Sequence, residues 1–296
     1  MATLTLAGVL GPVTTPFTSS ETPDLVGLAS NIRSHLAHGL HGIVVCGSTG
    51  EAALLDEFER SALTETARAA VPAGKLLLMG TGAESTRQCV TRCRDAAARG
   101  ADAVLVVAPH YYGPQMTTAA LRAHYQRVAD ESPIPVVLYN IPKYMHFKLA
   151  PELVEELSMH ENVVGIKDSS GDLALLEAYL QAQGSAFSVL TGNGGQLLPG
   201  LQLGVRGGIV AVALFAGGLC IDVYEGFKRG DLDRALAAQE RLKPMATQIV
   251  AGLGVPGVKA ALDTVGLVGG PVRLPLTSLG AAELKVVRDL MAPPVG

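Results

Sequence analysis

The sequence predicts a (β/α)8 TIM barrel followed by a C-terminal helical extension. Short apolar runs recur along the chain, each trailed by an amphipathic segment, at a spacing of roughly 25–35 residues, the period of strand-plus-helix units. The runs are also too short and too uniformly apolar for strands with one face in water, so they read as strands of a parallel sheet buried on both faces.

Taken in order, Val9–Pro16 (VLGPVTTP) is the first strand-like run. Leu25–His38 is helix-like, and Gly39 stops it. Gly42–Cys46 is the second strand, leading into GSTGE, and Asp56–Ala70 is a helix with Asp56 and Glu59 near its start. Lys75–Met79 and Ala103–Ala108 are the third and fourth strands, separated by the helix Ser85–Arg99. The loop PHYYGPQ and the helix Thr118–Asp130 precede the fifth strand, Pro135–Tyr139, which enters NIPKYMHF. Pro151–Met159 is a short helix, Val163–Lys167 the sixth strand and Leu173–Gln181 the next helix. Phe187–Thr191 is the seventh strand, Gln196–Leu203 a short helix and Gly208–Val212 the eighth strand. An open doubly wound sheet would want a phosphate-type G-x-G-x-x-G opening its first helix, and none follows the first strand.

Helix-like material runs from Leu219 to the end, with Asp231–Leu253, Pro256–Thr264 and Ala281–Met291 read as three extra helices. No Ser/Gly-rich linker divides them off, so residues 1–225 are expected to form the barrel and 226–296 an extension packed on it.

Composition narrows the function. The chain has 296 residues, 48% of them hydrophobic, with 34 glycines and no tryptophan, so its core is aliphatic. A net charge of −4 and the absence of a Lys/Arg run give no footprint for nucleic acid or an anionic membrane. MATLTLAGVLGPV at the start lacks a basic leader, and apolar runs are broken short of roughly 18 residues, so no membrane span is expected. Cys46, Cys89, Cys93 and Cys220 read as core or surface thiols of a cytoplasmic protein. His110, His124 and His146 sit on different elements with no carboxylate at ligand spacing, so neither a metal nor a cofactor is expected.

The chemistry concentrates at the strand ends, which in a barrel share one mouth. Thr14 and Thr15 follow the first strand, Ser48, Thr49 and Glu51 the second, His110, Tyr111 and Tyr112 the fourth. Tyr139 ends the fifth, Lys167 the sixth, and Thr191–Gly192 the seventh. A lysine at the last buried position of a strand must be paired, lose its proton, or snorkel to the rim. A neutral amine attacks carbonyl carbon, the first step of Schiff-base chemistry, and Tyr139 on the adjacent strand is placed to shuttle protons. Ser48, Thr49 and their backbone N–H groups are candidates to hold a substrate carboxylate. Asp168 is expected in a helix cap or a salt bridge.

GSTGE at Gly47–Glu51, YNIP at Tyr139–Pro142 and GIKDSSGD at Gly165–Asp172, in that order and spacing, resemble the dihydrodipicolinate synthase / N-acetylneuraminate lyase family of class I, pyruvate-handling aldolases. The likeness covers nearly the whole chain and implies the same barrel with a helical extension. It implies that Lys167 forms the imine with a 2-oxo acid, that Tyr139 is the shuttle, that Ser48 bonds tyrosine and substrate, and that Thr49 binds the carboxylate. Tyr112 matches a tyrosine that reaches the neighbouring subunit's site in many members, implying a homodimer or homotetramer. Gly192 and Ile209 match pocket-lining positions.

The synthase proper is similar in YNVPxR, whose arginine grips aspartate semialdehyde. The matching position here is Tyr144, with Lys143 one residue earlier. The Ser of GSTGE and the VPGVKAALDTVGLVGGPVRLPL tail look closer to 4-hydroxy-2-oxoglutarate and 2-keto-3-deoxy sugar acid aldolases. The leading expectation is therefore a Schiff-base aldolase cleaving a 4-hydroxy-2-oxo acid to pyruvate and an aldehyde. The alternatives are condensation of pyruvate with aspartate semialdehyde, dehydration of a 3-deoxy-2-oxo sugar acid, and a non-catalytic 2-oxo acid sensor.

Overall fold

A computed structural model describes residues 4–292; Met1–Thr3 of the opening stretch and residues 293–296 of the extension lie outside it. Eight parallel strands close into a barrel in sequence order, with the last hydrogen-bonded to the first. They are β1 (Gly8–Pro12), β2 (Gly42–Val45), β3 (Leu76–Gly80), β4 (Ala103–Val107), β5 (Val136–Asn140), β6 (Val163–Asp168), β7 (Ser188–Thr191) and β8 (Gly207–Ile209). Every strand residue except Leu76 and Val107 is buried, which is why the runs lack a polar alternation.

Polar side chains start the helices that return the chain. Asp24 accepts from the Gly27 N–H to open α1 (Leu25–Ala37). Asp56 and Glu59 form a reciprocal capping box on α2 (Glu57–Ala70). Ser85 caps α3 (Thr86–Ala98) and Thr117 caps α4 (Thr118–Glu131). Further round come α5 (Pro142–Met145), α6 (Pro151–Ser158), α7 (Leu173–Tyr179), α8 (Leu197–Leu203) and α9 (Gly217–Arg229). Because α9 runs through residue 225, the last barrel helix ends at Arg229 rather than at the boundary drawn from sequence.

Two other differences have physical causes. The eighth strand stops at Ile209, and Ala211–Leu214 forms a tight 3₁₀ turn, because a buried apolar run reads alike as strand or packed turn. Gly207, at φ +152°, lies so close to Gly8 that a β-carbon would overlap the Gly8 carbonyl; this seam closes the barrel.

The extension also differs from its reading. α10 (Leu232–Pro244), a wide π-helical stretch over Met245–Leu253, and α11 (Gly254–Thr264) join into one helix of 33 residues, despite Pro244, Gly252, Gly254 and Pro256. Its most apolar window has a mean hydropathy of 1.3, so by length and composition alone it meets the test for a membrane span, a test that a helix packed on a protein core also passes. In this fold the helix lies on the barrel: Ala235, Ala238 and Leu242 are buried in the first half, Val258, Ala261 and Leu262 in the second. α12 (Ala281–Met291) packs against α11. All four cysteines are free and buried.

Candidate active site

The site is built on β5 and β6. Tyr139 and Lys167 are register partners, as are Asn140 and Asp168 one residue on. Side chains alternate along a strand, so the first pair points to one face and the second to the other. Lys167 and Tyr139 both line a cavity of about 300 Å³ at the mouth, with the lysine Nζ 4.5 Å from the centre of the phenol ring. Behind them the Asn140 amide donates to Asp168 Oδ1 at 2.7 Å, and Asp168 also accepts from the Ser170 hydroxyl and N–H. Asp168 therefore neither caps a helix nor forms an ion pair. Asp172 caps α7, while Asp168 fastens the loop after the lysine to β5.

Burial sets the electrostatics. Lys167 is only 5% exposed. Desolvation alone brings its ammonium from 10.5 down to about 7, so a large share of it is the free amine at neutral pH. Burial pushes the Tyr139 phenol up, partly offset by the Ser48 and Ser169 hydroxyls and reinforced by Asp168. The proton on Tyr139 is thereby retained as a proton to give. The Ser48 hydroxyl lies 3.5 Å from the Tyr139 hydroxyl, at the long limit for a hydrogen bond.

Thr49 follows β2, Gly192 follows β7 and Ile209 ends β8. Thr49, Gly192 and Ile209 line the same cavity as Lys167. A β-carbon on Gly192 would overlap Ser169 Oγ and come within 3.0 Å of Lys167 Cε, so only glycine leaves the lysine its path. Ser48, Lys143 and Tyr144 line both this cavity and a larger adjoining one of about 1360 Å³, which opens the way outwards. Lys143 donates to the Ala251 carbonyl at 3.0 Å, placing a cation at the rim. Burial raises the Tyr144 phenol. Tyr112 is not brought to Lys167 within the chain; it lines the larger cavity, 64% exposed, edge-on to Tyr111.

Three features escaped the sequence reading. Ser169, two residues past the lysine, reads as loop polarity, yet its hydroxyl faces Tyr139 and Gly192. Ala246, Val250 and Val258 of the extension line the cavity, a contact no local pattern announces. Glu51 turns inward to pair with Lys259 of α11. Among the described residues no three His, Cys, Asp or Glu side chains cluster as a metal site would require. His124 donates to or accepts from Thr86, and His110 sits beside Glu84.

A buried, part-neutral lysine facing a tyrosine in a small cavity at the mouth of a (β/α)8 barrel defines a Schiff-base lyase that works on a 2-oxo acid. The chain belongs to the dihydrodipicolinate synthetase family, whose model it matches over residues 5–292. It is 37% identical over 287 residues to the 4-hydroxy-tetrahydrodipicolinate synthase of Methanoculleus marisnigri, covering 96% of this chain and 98% of that protein. Dihydrodipicolinate synthase DapA-2 of Bacillus anthracis superposes with a TM-score of 0.93 at 28% identity, over 97% of this chain and 98% of that one. YagE of Escherichia coli, a family member solved in complex with pyruvate, superposes with a TM-score of 0.90 at 28% identity, over 97% of each chain.

Proposed function

We propose that this lyase joins pyruvate, held as an imine on Lys167, to an aldehyde that carries a carboxylate, in the manner of a 4-hydroxy-tetrahydrodipicolinate synthase. The observation that carries the reading is the desolvated Lys167 amine 4.5 Å from the Tyr139 ring. The free amine attacks C2 of pyruvate, Tyr139 passes a proton to the departing hydroxyl, and one water leaves to give the imine. The Tyr139 phenolate left by that step takes a proton from the methyl group, which yields the enamine, and the enamine carbon attacks the aldehyde. The same tyrosine returns a proton to the new alkoxide, and water then releases the product and regenerates the amine. Ser48 relays protons to Tyr139, and Thr49, with the N–H groups of its turn, holds the pyruvate carboxylate.

The synthase direction is favoured over the aldolase direction expected from sequence because several curated relatives, 33–37% identical over nearly the whole chain, bear the synthase name. Aspartate semialdehyde is then the aldehyde. Lys143 at the rim supplies a point charge for its carboxylate where the synthase pattern has an arginine fork. One observation keeps cleavage of a 4-hydroxy-2-oxo acid as the second reading: Tyr144, an aromatic, occupies the arginine's position. We further propose that Tyr112 serves the site of a second copy of the chain, as its exposure away from Lys167 suits.

The test is turnover with pyruvate plus aspartate semialdehyde, set beside pyruvate release from 4-hydroxy-2-oxoglutarate and 3-deoxy-2-oxo sugar acids. Condensation with the semialdehyde at the higher kcat/KM supports the synthase reading. Pyruvate release without condensation would replace it with the aldolase.

A further inference from the structure

The GSTGE turn is gripped from outside the barrel. Glu51, in the left-handed backbone region at φ 56°, ends the 3₁₀ turn Ser48–Gly50 that presents Ser48 and Thr49 to the cavity. Its carboxylate is buried. Oε1 lies 2.5 Å from the Lys259 ammonium of α11 as a charge contact outside hydrogen-bond geometry, and Oε2 accepts from the Arg273 backbone N–H at 2.9 Å. Lys259 is 2% exposed; its Nζ also donates to the Pro271 carbonyl at 2.6 Å and lies 4.6 Å from the Phe17 ring centre. The Arg273 guanidinium covers the same ring and bonds Glu59 of α2. From inside, the Thr15 hydroxyl donates to the Gly50 carbonyl at 2.8 Å. α11 carries Val258 into the cavity wall beside Lys259, so one helix both lines the site and holds the turn.

A buried ion pair contributes little to stability beyond what apolar residues of the same shape would give, but separating its partners strands a buried charge, so they are held together. Here the pair ties a left-handed residue of the Ser48–Thr49 turn to α11. We infer that Glu51 and Lys259 are positioning residues: through them the C-terminal extension holds the Ser48–Thr49 turn in the shape that binds the 2-oxo acid carboxylate. This rests on the proposed function only in naming that carboxylate.

Lys259→Met and Glu51→Gln are compared with wild type, with Lys259→Arg as the conservative variant. Both neutral variants should raise the pyruvate concentration needed for half-maximal cyanoborohydride trapping on Lys167 by about tenfold or more, with full trapping regained at saturation. Lys259→Arg should recover much of the loss. Amide hydrogen exchange over residues 47–52 should quicken in the two neutral variants and not in Lys259→Arg. A lowered Tm with unchanged half-saturation and unchanged exchange in that turn would reduce the pair to a structural strut and overturn the inference. If Lys259→Met does not fold, Glu51→Gln decides, since it keeps the shape and the acceptor of the native side chain. Should wild type fail to trap pyruvate at all, the functional reading falls, and the exchange measurement still judges the pair.

Discussion

Lys167 and Tyr139 are paired residues of adjacent parallel strands, with the amine 4.5 Å from the centre of the phenol ring. The contact has the geometry of a cation over an aromatic face, but burial has taken the amine close to neutrality, so its charge gains little there. Its meaning is proximity: an imine formed on Nζ lies beside the only group on the facing strand able to move a proton to it.

Tyr139→Phe keeps the ring and removes the proton. Turnover should fall by about 10²–10⁴-fold, the usual worth of a positioned acid–base group. Slow trapping of pyruvate on Lys167 should persist, because the amine is unchanged. Steady-state kinetics beside trapping checks this, and a fall of less than about tenfold would remove Tyr139 from the proton path.

Lys167 costs the fold stability. Its pKa drops from 10.5 unfolded to about 7 folded, so between those values the unfolded chain binds more protons and stability rises with pH. The penalty is largest below pH 7 and fades towards pH 10. Lys167→Met should therefore melt at a higher temperature than wild type at pH 6, by the equivalent of about 1–4 kcal/mol, with the gap narrowing by pH 10. Thermal melts at both values read this directly. A variant less stable at pH 6 would mean that the ammonium has a partner.

The behaviour of this lysine shows what the sequence makes legible. VVGIK spells a buried strand ending in a charge, and the alternation of strand side chains puts Tyr139 beside it once both strand ends are known. The strand ends therefore gather Lys167, Tyr139, Thr49 and Gly192 at one mouth, whereas Ile209 is reached only through the family resemblance. Contacts reaching across the chain were not: Glu51 and Lys259 are 208 residues apart (259 − 51), and neither one's surroundings betray the other. The single long helix was hidden as well, because prolines and glycines that normally break helices are carried through a wide-turned stretch packed on the barrel. Substrate choice is less legible: Tyr144 at the arginine's position, the Ser of GSTGE and the tail point to aldol cleavage, while relatives 33–37% identical bear the synthase name.

Asn140 and Asp168 fasten the back of the site. Asn140→Ala would strip a donor from the buried Asp168 carboxylate, whose pKa burial already raises, and an acceptor from the Leu149 N–H. The expected loss is about 1–3 kcal/mol in a denaturant titration. A variant as stable as wild type would show that the pair is dispensable.

Tyr112 offers a test of assembly. Tyr112→Phe should lower turnover, and mixing it with Lys167→Ala chains, after dissociation and reassociation, should restore part of it. In such mixed pairs an intact Lys167 meets an intact Tyr112 from its neighbour. No gain on mixing would leave Tyr112 outside the reaction.

The most direct test of the account is reductive trapping of pyruvate followed by peptide mass spectrometry across pH 5–10. One reduced pyruvate is expected on the peptide containing Lys167, with the rate at low pyruvate rising through a midpoint near 7, and no adduct in Lys167→Ala. A folded wild-type chain that stays unmodified, or a midpoint in the ordinary lysine range, would contradict it.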